Sequence, residues 1–444
     1  MKHIVIVGNG VSGITAARHI RKNSDFDITV ISAETDHFWS RTALMYIYMG
    51  HMKFENTKPY EDWFWKKNRI NLINDYVEQI DPEAKNIKLT RKGVMDYDAL
   101  ILATGAKPNK FGWPGQDLEG VSGMVSYQDL QYIEKHSKGI SRAVIVGGGL
   151  IGVEMAEMFH SRKIDVTFLV REKQFWNNVL PQQEASLISR HILENHIDLR
   201  LGEELKEILA DDKGHVKRII TGSGEEIACQ FVGLTAGVHP NINLAKASGI
   251  ETDRGILVNE YLETNQPDIY AIGDCAQRKD PLPSRRPIEQ VWYTGRMMGE
   301  TVAQTITGNR SDYKPGHWFN SAKFFDIEYQ TYGWVWNQLK ENEEEFYWEH
   351  KSGKKCMHFI FDKSSKKFLG VNTFGIRLRH ESFDKWLNEE RDIYHVLENL
   401  REANFDPEFF DRHEQEISDT FNHQFPQKPI TLKGKKSLLE SIFG

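Results

Sequence analysis

A short apolar strand, a glycine-rich turn and a helical stretch form the most regular hydrophobic pattern in the chain. The pattern runs first through residues 3–21 and returns through residues 143–159. A second apolar strand follows each copy, at residues 28–31 and at residues 166–170. Strand, turn, helix and strand in this order are typical of a βαβ unit with parallel strands, so the sequence predicts two such units.

Later segments complete the predicted layout. Buried strands are expected at residues 231–237 and 269–274, and a helix at residues 290–306. Beyond residue 318 aromatic-rich runs predict strands at residues 323–332, 346–350, 356–361 and 368–374, and amphipathic patterns predict helices near residues 383–404 and 408–422. The last twenty residues, with Pro426, Pro429 and clustered lysines, are expected to form a tail.

Composition narrows the classes of protein that fit this layout. The net charge of −7 disfavours general nucleic-acid binding, because neutralising phosphates needs a basic surface. No apolar run approaches the roughly 18 residues that a membrane span needs. The first strand begins too early for a secretory signal, and the three cysteines form no CxxC pair. We therefore expect a cytoplasmic protein with neither a disulphide scaffold nor a metal site.

The first glycine-rich turn, GNGVSG at residues 8–13, has the context of a dinucleotide-binding fingerprint. Gly8 permits a tight turn, Gly10 lets the backbone approach a pyrophosphate, and Gly13 lets the helix pack against the strand. The pyrophosphate then lies at the positive end of the helix dipole. Glu34 follows at the end of the second strand, where a carboxylate can accept both ribose hydroxyls.

The second glycine-rich turn, GGGLIG at residues 147–152, has the same context but lacks the acidic partner. Val170 stands where a ribose-binding acid is expected, and Arg171 follows it. An arginine there can pair with a 2′-phosphate, or it is a solvated residue at a strand end. We expect the second cofactor to be a nicotinamide nucleotide, with NADH and NADPH both open.

Three further motifs make the resemblance to a known family specific. ATG at residues 103–105, TAG at residues 235–237 and AIGD at residues 271–274 stand in the order found in the pyridine nucleotide–disulphide oxidoreductase superfamily. The chain resembles that family over roughly residues 3–320. The resemblance implies an α/β fold with two Rossmann-like dinucleotide-binding domains, the second inserted in the first, followed by a C-terminal α+β domain.

The boundaries of these domains follow from the order of the segments. We predict a discontinuous FAD-binding domain at residues 1–112 and 254–318, and an NAD(P)-binding domain at residues 113–253. The C-terminal domain is placed at residues 319–424 and the tail at residues 425–444. About three domains is also what size statistics suggest for 444 residues.

The resemblance also implies which residues hold each cofactor. Those expected to bind FAD are Gly8, Gly10, Val11, Ser12, Gly13, Glu34, Arg41, Val77, Ala103, Thr104, Gly105, Gly273, Asp274, Gln290 and Val291. Those expected to bind NAD(P)H are Gly147, Gly149, Leu150, Ile151, Gly152, Arg171, Ala236 and Gly237. Asp274 would accept a ribityl hydroxyl. Glu154 and Gln290 are the candidate catalytic residues, at the nicotinamide–flavin junction and at the start of a helix directed at the flavin.

The segment that carries redox cysteines in the disulphide reductases contains no cysteine here. Residues 37–44 read HFWSRTAL, and Arg41 stands in the place of the single cysteine of the peroxidase and NADH oxidase branch. A redox disulphide is therefore excluded in this segment. The chain resembles instead the branch of NAD(P)H-dependent ferredoxin and rubredoxin reductases, nitrite reductase flavin modules and apoptosis-inducing-factor-like proteins. It departs from several members of this branch at Tyr46, where they carry a lysine.

The expected activity is that of an FAD-dependent NAD(P)H oxidoreductase. Hydride would pass from nicotinamide to flavin, and electrons would then leave for an external acceptor, which is a redox protein such as ferredoxin or rubredoxin, a quinone or an inorganic compound. Two alternatives stay open: a flavin- and NADH-linked redox sensor resembling apoptosis-inducing factor, and the flavin component of a nitrite-reducing system. The C-terminal domain would supply an acceptor face, a homodimer interface or both.

Overall fold

The structure of the protein is a computed structural model that describes residues 2–283, 285–405 and 409–434. Its strands are β1 (His3–Val7), β2 (Asp27–Ser32), β3 (Ile70–Asn74), β4 (Val77–Asp81), β5 (Asn86–Leu89), β6 (Gly93–Asp96), β7 (Ala99–Leu102), β8 (Ala106–Pro108), β9 (Val121–Ser122), β10 (Arg142–Val146), β11 (Asp165–Val170), β12 (Asp198–Leu201), β13 (Leu205–Ala210), β14 (Val216–Thr221), β15 (Glu226–Ala228), β16 (Phe231–Leu234), β17 (Val238–Pro240), β18 (Ile256–Val258), β19 (Ile269–Ala271), β20 (Ala276–Arg278), β21 (Phe319–Phe324), β22 (Ile327–Gly333), β23 (Glu343–Glu349), β24 (Cys356–Asp362) and β25 (Phe368–Phe374). Its α-helices are α1 (Val11–Asn23), α2 (Leu44–Tyr48), α3 (Asp62–Lys67), α4 (Tyr127–His136), α5 (Leu150–Ser161), α6 (Gln182–Glu194), α7 (Asn243–Ala247), α8 (Trp292–Ile306), α9 (His380–Asn388), α10 (Ile393–Glu398) and α11 (Glu414–Gln424).

The first βαβ unit builds a five-stranded parallel sheet in the order β19-β7-β1-β2-β3. Its strands are apolar and β-branched, as expected where both faces of a parallel sheet are buried. Helix α1 meets α8 closely, because Gly299 of α8 carries no Cβ that would press on the backbone of Ser12. The carboxyl ends of β1 and β19 are thereby held next to the start of α1.

The second βαβ unit contributes the parallel strands β11, β10, β16 and β9, in that order. Val144, Val146 and Val232 from this sheet are buried in a core that it shares with the three-stranded antiparallel sheet β13-β14-β15. Helix α5 follows β10 through the second glycine turn, as the sequence predicted. These two sheets belong to one compact unit, within residues 1–169 and 203–315.

A second compact unit combines residues 170–202 with the chain from residue 316 onwards. Its sheet is antiparallel, in the order β21-β22-β25-β24-β23. Aromatic residues of the sheet, among them Phe346 and Phe359, form a core with Phe383 of α9 and with the last helices. Ile430, inside the predicted tail, is also buried there, and the remainder of that tail from residue 435 lies outside the described residues.

Two predicted elements of this unit are divided in the structure. The strand expected at residues 323–332 is a hairpin of β21 and β22, turning at Phe325, whose φ of 55° is left-handed. The helix expected at residues 383–404 is broken after α9 by Glu390, also left-handed, and restarts at α10 with the Asp392 carboxylate capping the His395 N–H. The helix expected at residues 408–422 is α11, shorter at its start.

No helix in the described part of the chain has both the length and the apolar composition required to cross a membrane. The predicted boundaries between the nucleotide-binding domains stay predictions.

Candidate functional site

The first glycine turn has the geometry that its sequence predicts. Gly8 has a left-handed φ of 119°, and a Cβ there would collide with the carbonyl oxygen of Ala103. A Cβ on Gly13 would collide with the carbonyl oxygen of Gly8. Around Gly10 the space is open, since no atom lies within 4 Å of the position that a Cβ would take. At Gly10 the backbone before α1 is therefore open to close approach, as the fingerprint requires for a pyrophosphate.

The strand end at Asp274 is brought against the start of α1. Gly273 is left-handed, with a φ of 73°, and approaches so closely that a Cβ would collide with the Ser12 hydroxyl oxygen. The Asp274 carboxyl is half-buried and has no hydrogen-bond partner among the described residues. Burial raises the pKa of Asp274 to about 6, although the nearby Arg41 opposes this rise. A desolvated carboxyl without a partner fits a site that receives a ligand hydroxyl.

The Glu34 carboxylate accepts hydrogen bonds from two groups that the sequence did not indicate as its partners. The Arg41 guanidinium donates to both carboxylate oxygens of Glu34, at 2.8 and 2.5 Å, and to the Val125 carbonyl oxygen at 2.5 Å. The backbone N–H of Tyr127, at the start of α4, donates to the same carboxylate at 2.9 Å. A carboxylate has about four acceptor positions, so ribose hydroxyls can still be bound here. Tyr127 lies 93 residues from Glu34 and carries no motif that would have singled it out.

Gln290 and Val291 lie directly before α8. The side-chain amide nitrogen of Gln290 is buried and has no acceptor among the described residues. Val291 caps the helix with extended backbone and without a side-chain cap. A buried N–H without an acceptor fits a ligand carbonyl, as predicted for the flavin edge. Trp292, the first residue of the helix, is 40% exposed and is therefore not a core residue.

The ATG motif is fixed by a distant loop. The Thr104 hydroxyl donates to the Asn241 carbonyl oxygen at 2.7 Å, and Gly105 is left-handed. Val77 of β4 is 4% exposed and lies in the hydrophobic core that also contains the first parallel sheet. Its side chain therefore packs against other core residues. Any contact of Val77 with a cofactor would involve its backbone.

The second glycine turn repeats the geometry of the first. Gly147 has a φ of 117°, and a Cβ there would press on the backbone of Ala236. Gly152 packs against the carbonyl oxygen of Gly147, whereas the space around Gly149 is open. The predicted residues Leu150 and Ile151 open helix α5, Glu154 lies half-buried one turn further on, and Gly237 follows Ala236 with a left-handed φ of 83°. At Gly149 the backbone before α5 is likewise open to close approach, as the fingerprint requires for a pyrophosphate.

Arg171 lies at the surface of its unit. Its side chain is 72% exposed, and its guanidinium is 3.2 Å from the Glu172 carboxylate. Val170 beside it is fully buried. Position 170 thus has no acidic side chain to hold an unphosphorylated ribose. The next two residues, Arg171 and Glu172, carry opposite charges.

The three cysteines are buried, and their surroundings disfavour the thiolate form. Burial raises the pKa of Cys229 to about 12 and also raises the pKa values of Cys275 and Cys356. Cys275 follows Asp274, but its thiol donates to backbone carbonyl oxygens of Leu102 and Ile272. A thiol nucleophile needs a lowered pKa and exposure, so none of the three is built for thiolate chemistry.

Two open glycine turns, each beginning a helix on a parallel sheet, define a protein that binds two dinucleotides. The chain belongs to the pyridine nucleotide-disulphide oxidoreductase family, whose family model matches residues 2–299.

Several curated proteins resemble this chain in sequence, and solved structures resemble it in fold. An NADH oxidase from Methanocaldococcus jannaschii is 31% identical over 73% of this chain and 74% of its own length. The electron transfer subunit of assimilatory nitrate reductase from Bacillus subtilis is 29% identical over 88% of this chain. This chain spans 50% of that subunit and 35% of a Bacillus subtilis nitrite reductase. A ferredoxin reductase from Rhodopseudomonas palustris has a TM-score of 0.77 at 21% identity, covering 92% of this chain and 96% of its own.

Family membership confirms several of the predictions made from sequence. The superfamily, the α/β fold class and the oxidoreductase class are as predicted, with FAD and a nicotinamide nucleotide as the cofactors of the family. The roles of individual residues remain predictions that the geometry above supports.

Proposed function

We propose that the chain uses NAD(P)H to reduce bound FAD and passes the electrons to an external carrier protein, without any cysteine relay. The observation that carries this proposal is the state of the cysteines. All three are buried with raised pKa values, and Arg41 stands where a flavin-facing cysteine would be needed. Electrons must then leave by a route that uses no thiol.

The residues of the chain hold, orient and shield the cofactors. Open helix N-termini behind Gly10 and Gly149 receive the two pyrophosphates, and Asp274 accepts a ribityl hydroxyl. Arg41 orients the Glu34 carboxylate toward the ribose. Gln290 donates its buried N–H to a flavin carbonyl. When bound, FAD supplies the chemistry of accepting a hydride and releasing electrons.

The acceptor is inferred to be a small one-electron protein. Relatives aligned over about 70% of this chain include a rubredoxin-NAD(+) reductase from Acinetobacter baylyi at 30% identity and a rhodocoxin reductase from Rhodococcus erythropolis at 29%. Both names describe reductases of small redox proteins. The exposed Trp292 at the start of α8 offers a partner protein a route toward the flavin edge.

Turnover with defined acceptors tests this proposal. The flavin-loaded protein is mixed with NADH or NADPH, and reduction of ferredoxin, rubredoxin, a soluble quinone and ferricyanide is followed separately. We expect one of the carrier proteins to be reduced at a rate close to that of flavin reduction. Fast flavin reduction with slow transfer to every acceptor would instead indicate a redox sensor.

A second function is favoured by the extent of one alignment. The nitrate reductase electron transfer subunit matches 88% of this chain, which takes the match well beyond the family region at residues 2–299. The chain would then be the flavin half of a system that reduces an inorganic nitrogen oxide through another component. Reduction of nitrate or nitrite only when such a component is added would support this alternative over a free carrier protein.

A further inference from the structure

Two histidines and a glutamate lie close together beside β9, the edge strand of the sheet that contains β10 and β16. None of them is among the residues assigned to either cofactor. Glu119, His136 and His215 each offer one ligand atom, and these atoms all lie within 4.8 Å of one another. Glu119 precedes β9, His136 is the last residue of α4, and His215 lies in the turn between β13 and β14. Their sequence separations match no metal-binding motif, so only the fold brings them together.

Backbone hydrogen bonds fix Glu119 relative to His215. The Glu119 N–H donates to the Gly214 carbonyl oxygen at 3.2 Å, and the Val216 N–H donates to the Glu119 carbonyl oxygen at 2.9 Å. The Nδ1 atom of His215 is 3.3 Å from the Glu119 carboxylate. With the ring proton on Nε2, the Nδ1 lone pair faces the Glu119 carboxylate, and the two atoms can bind one metal ion between them.

His136 is fixed independently. Its ring stacks on Tyr132 with the ring centroids 4.1 Å apart, and the Tyr132 hydroxyl accepts from the Gly120 N–H at 2.9 Å. The negative end of the α4 dipole favours a cation here.

A second group of similar composition lacks these properties. In the group formed by His350, His413 and Glu416, the Ser352 N–H donates to Nδ1 of His350 at 3.2 Å. The Lys355 ammonium lies 3.0 Å from Nε2 of His413. One nitrogen of each histidine is thus already occupied, and the positive charge of Lys355 opposes the binding of a cation.

We propose that Glu119, His136 and His215 bind a zinc ion, with water completing the coordination. Two imidazoles and one carboxylate form a ligand set that zinc favours, whereas Mg²⁺ and Ca²⁺ prefer oxygen ligands. The ion would fasten α4 and the β13–β14 turn to the loop that leads into β9, a strand of only two residues at the edge of the sheet. Because zinc has no redox chemistry, the ion would take no part in electron transfer.

Calorimetric titration of the flavin-loaded, tag-free protein with Zn²⁺, after chelator treatment and dialysis, tests this proposal. We expect one ion per chain in the wild type. The His136→Gln/His215→Gln variant should bind about a hundredfold more weakly or not at all. The matched His350→Gln/His413→Gln variant should bind as the wild type does, and Zn²⁺ should raise the melting temperature only where binding is kept.

Unchanged zinc binding in the His136→Gln/His215→Gln variant would overturn the proposal, as would the absence of saturable binding in the wild type. Flavin absorbance and the melting temperature without metal establish that each variant is folded. If the double variant does not fold, Glu119→Gln alone is titrated, and it should weaken binding by at least about tenfold. An affinity equal to that of the wild type would then count against the site.

Discussion

At the residue scale, Asp274 is a residue that suits ligand binding but lowers the stability of the folded protein by itself. Its carboxyl is half-buried without a hydrogen-bond partner among the described residues, and burial raises its pKa to about 6. Such a group disfavours the folded protein whenever it is ionised. A ligand hydroxyl that donates a hydrogen bond to this carboxylate would offset its desolvation. Asp274 would therefore stabilise the cofactor complex more than it stabilises the fold.

Replacing Asp274 should therefore affect cofactor retention more than folding. We expect Asp274→Ala to weaken FAD binding by about 1–3 kcal/mol, the value of a lost buried hydrogen bond. The apo-protein should unfold at a temperature close to that of the wild type. Fluorescence titration with FAD measures the affinity, with the exposed Asp280→Ala as the matched control. An Asp274→Ala protein with wild-type affinity would remove Asp274 from the site.

Arg171 should determine the coenzyme preference. Its exposed guanidinium can pair with a 2′-phosphate, and Val170 supplies no carboxylate to repel one. We expect NADPH to be used at least as well as NADH. Arg171→Ala should lower kcat/KM for NADPH by roughly ten- to a hundredfold, as befits one charge-assisted contact of about 1.5–3 kcal/mol, and leave NADH nearly unchanged.

Steady-state kinetics with both coenzymes measure this effect, with Glu172→Gln as the neighbouring control. Equal losses with NADH and NADPH, or no use of NADPH by the wild type, would make Arg171 a solvated bystander.

At the scale of elements, helix α6 is fastened to the antiparallel sheet by a buried ionic network. His358 of β24 lies 3.0 Å from the Glu184 carboxylate of α6 and 2.9 Å from the Glu345 carboxylate of β23. His358 and Glu184 are both fully buried, and Asn372 donates to Glu184 at 2.8 Å. Burial alone would lower the pKa of His358, but the two carboxylates outweigh it and raise the pKa to about 9.

This network predicts how stability depends on pH. Because the folded pKa of His358 exceeds the unfolded value of 6.5, its contribution is fully present below about pH 6.5 and is lost as the pH rises through about 9. His358→Gln should destabilise the protein by about 3–5 kcal/mol at pH 6.5, since it leaves a buried carboxylate unpaired, and by less at pH 9.

Denaturant unfolding at several pH values, with the exposed His423→Gln as control, measures the difference. A gap between wild type and His358→Gln that stays constant from pH 6.5 to 9 would show that His358 is not charged in the folded protein.

Elements that depend on local sequence were predictable, whereas contacts between distant segments were not. The glycine turns at residues 8–13 and 147–152 were predicted because each is fixed by its own strand and helix. The pairing of Arg41 with Glu34 and the N–H from Tyr127 depend on tertiary packing. The break at Glu390 was missed because the amphipathic pattern continues across it, and only the backbone reversal at that residue separates α9 from α10.

On the scale of the whole molecule, the proposed function requires electrons to pass from nicotinamide to flavin and out of the protein without a thiol. Cys229, Cys275 and Cys356 are spread over the chain, and all are buried. Replacing all three by alanine removes buried packing volume and the hydrogen bonds of the Cys275 thiol, so we expect some loss of stability and no loss of redox chemistry.

Anaerobic rapid mixing of the Cys229→Ala/Cys275→Ala/Cys356→Ala protein with NADPH, and separately with NADH, tests this claim most directly. We expect about one FAD per chain and bleaching of its absorbance at the wild-type rate by at least one coenzyme, at a temperature where circular dichroism shows the variant folded. A folded variant that holds FAD but cannot be reduced, when the wild type can, would contradict the claim and restore a thiol to the mechanism.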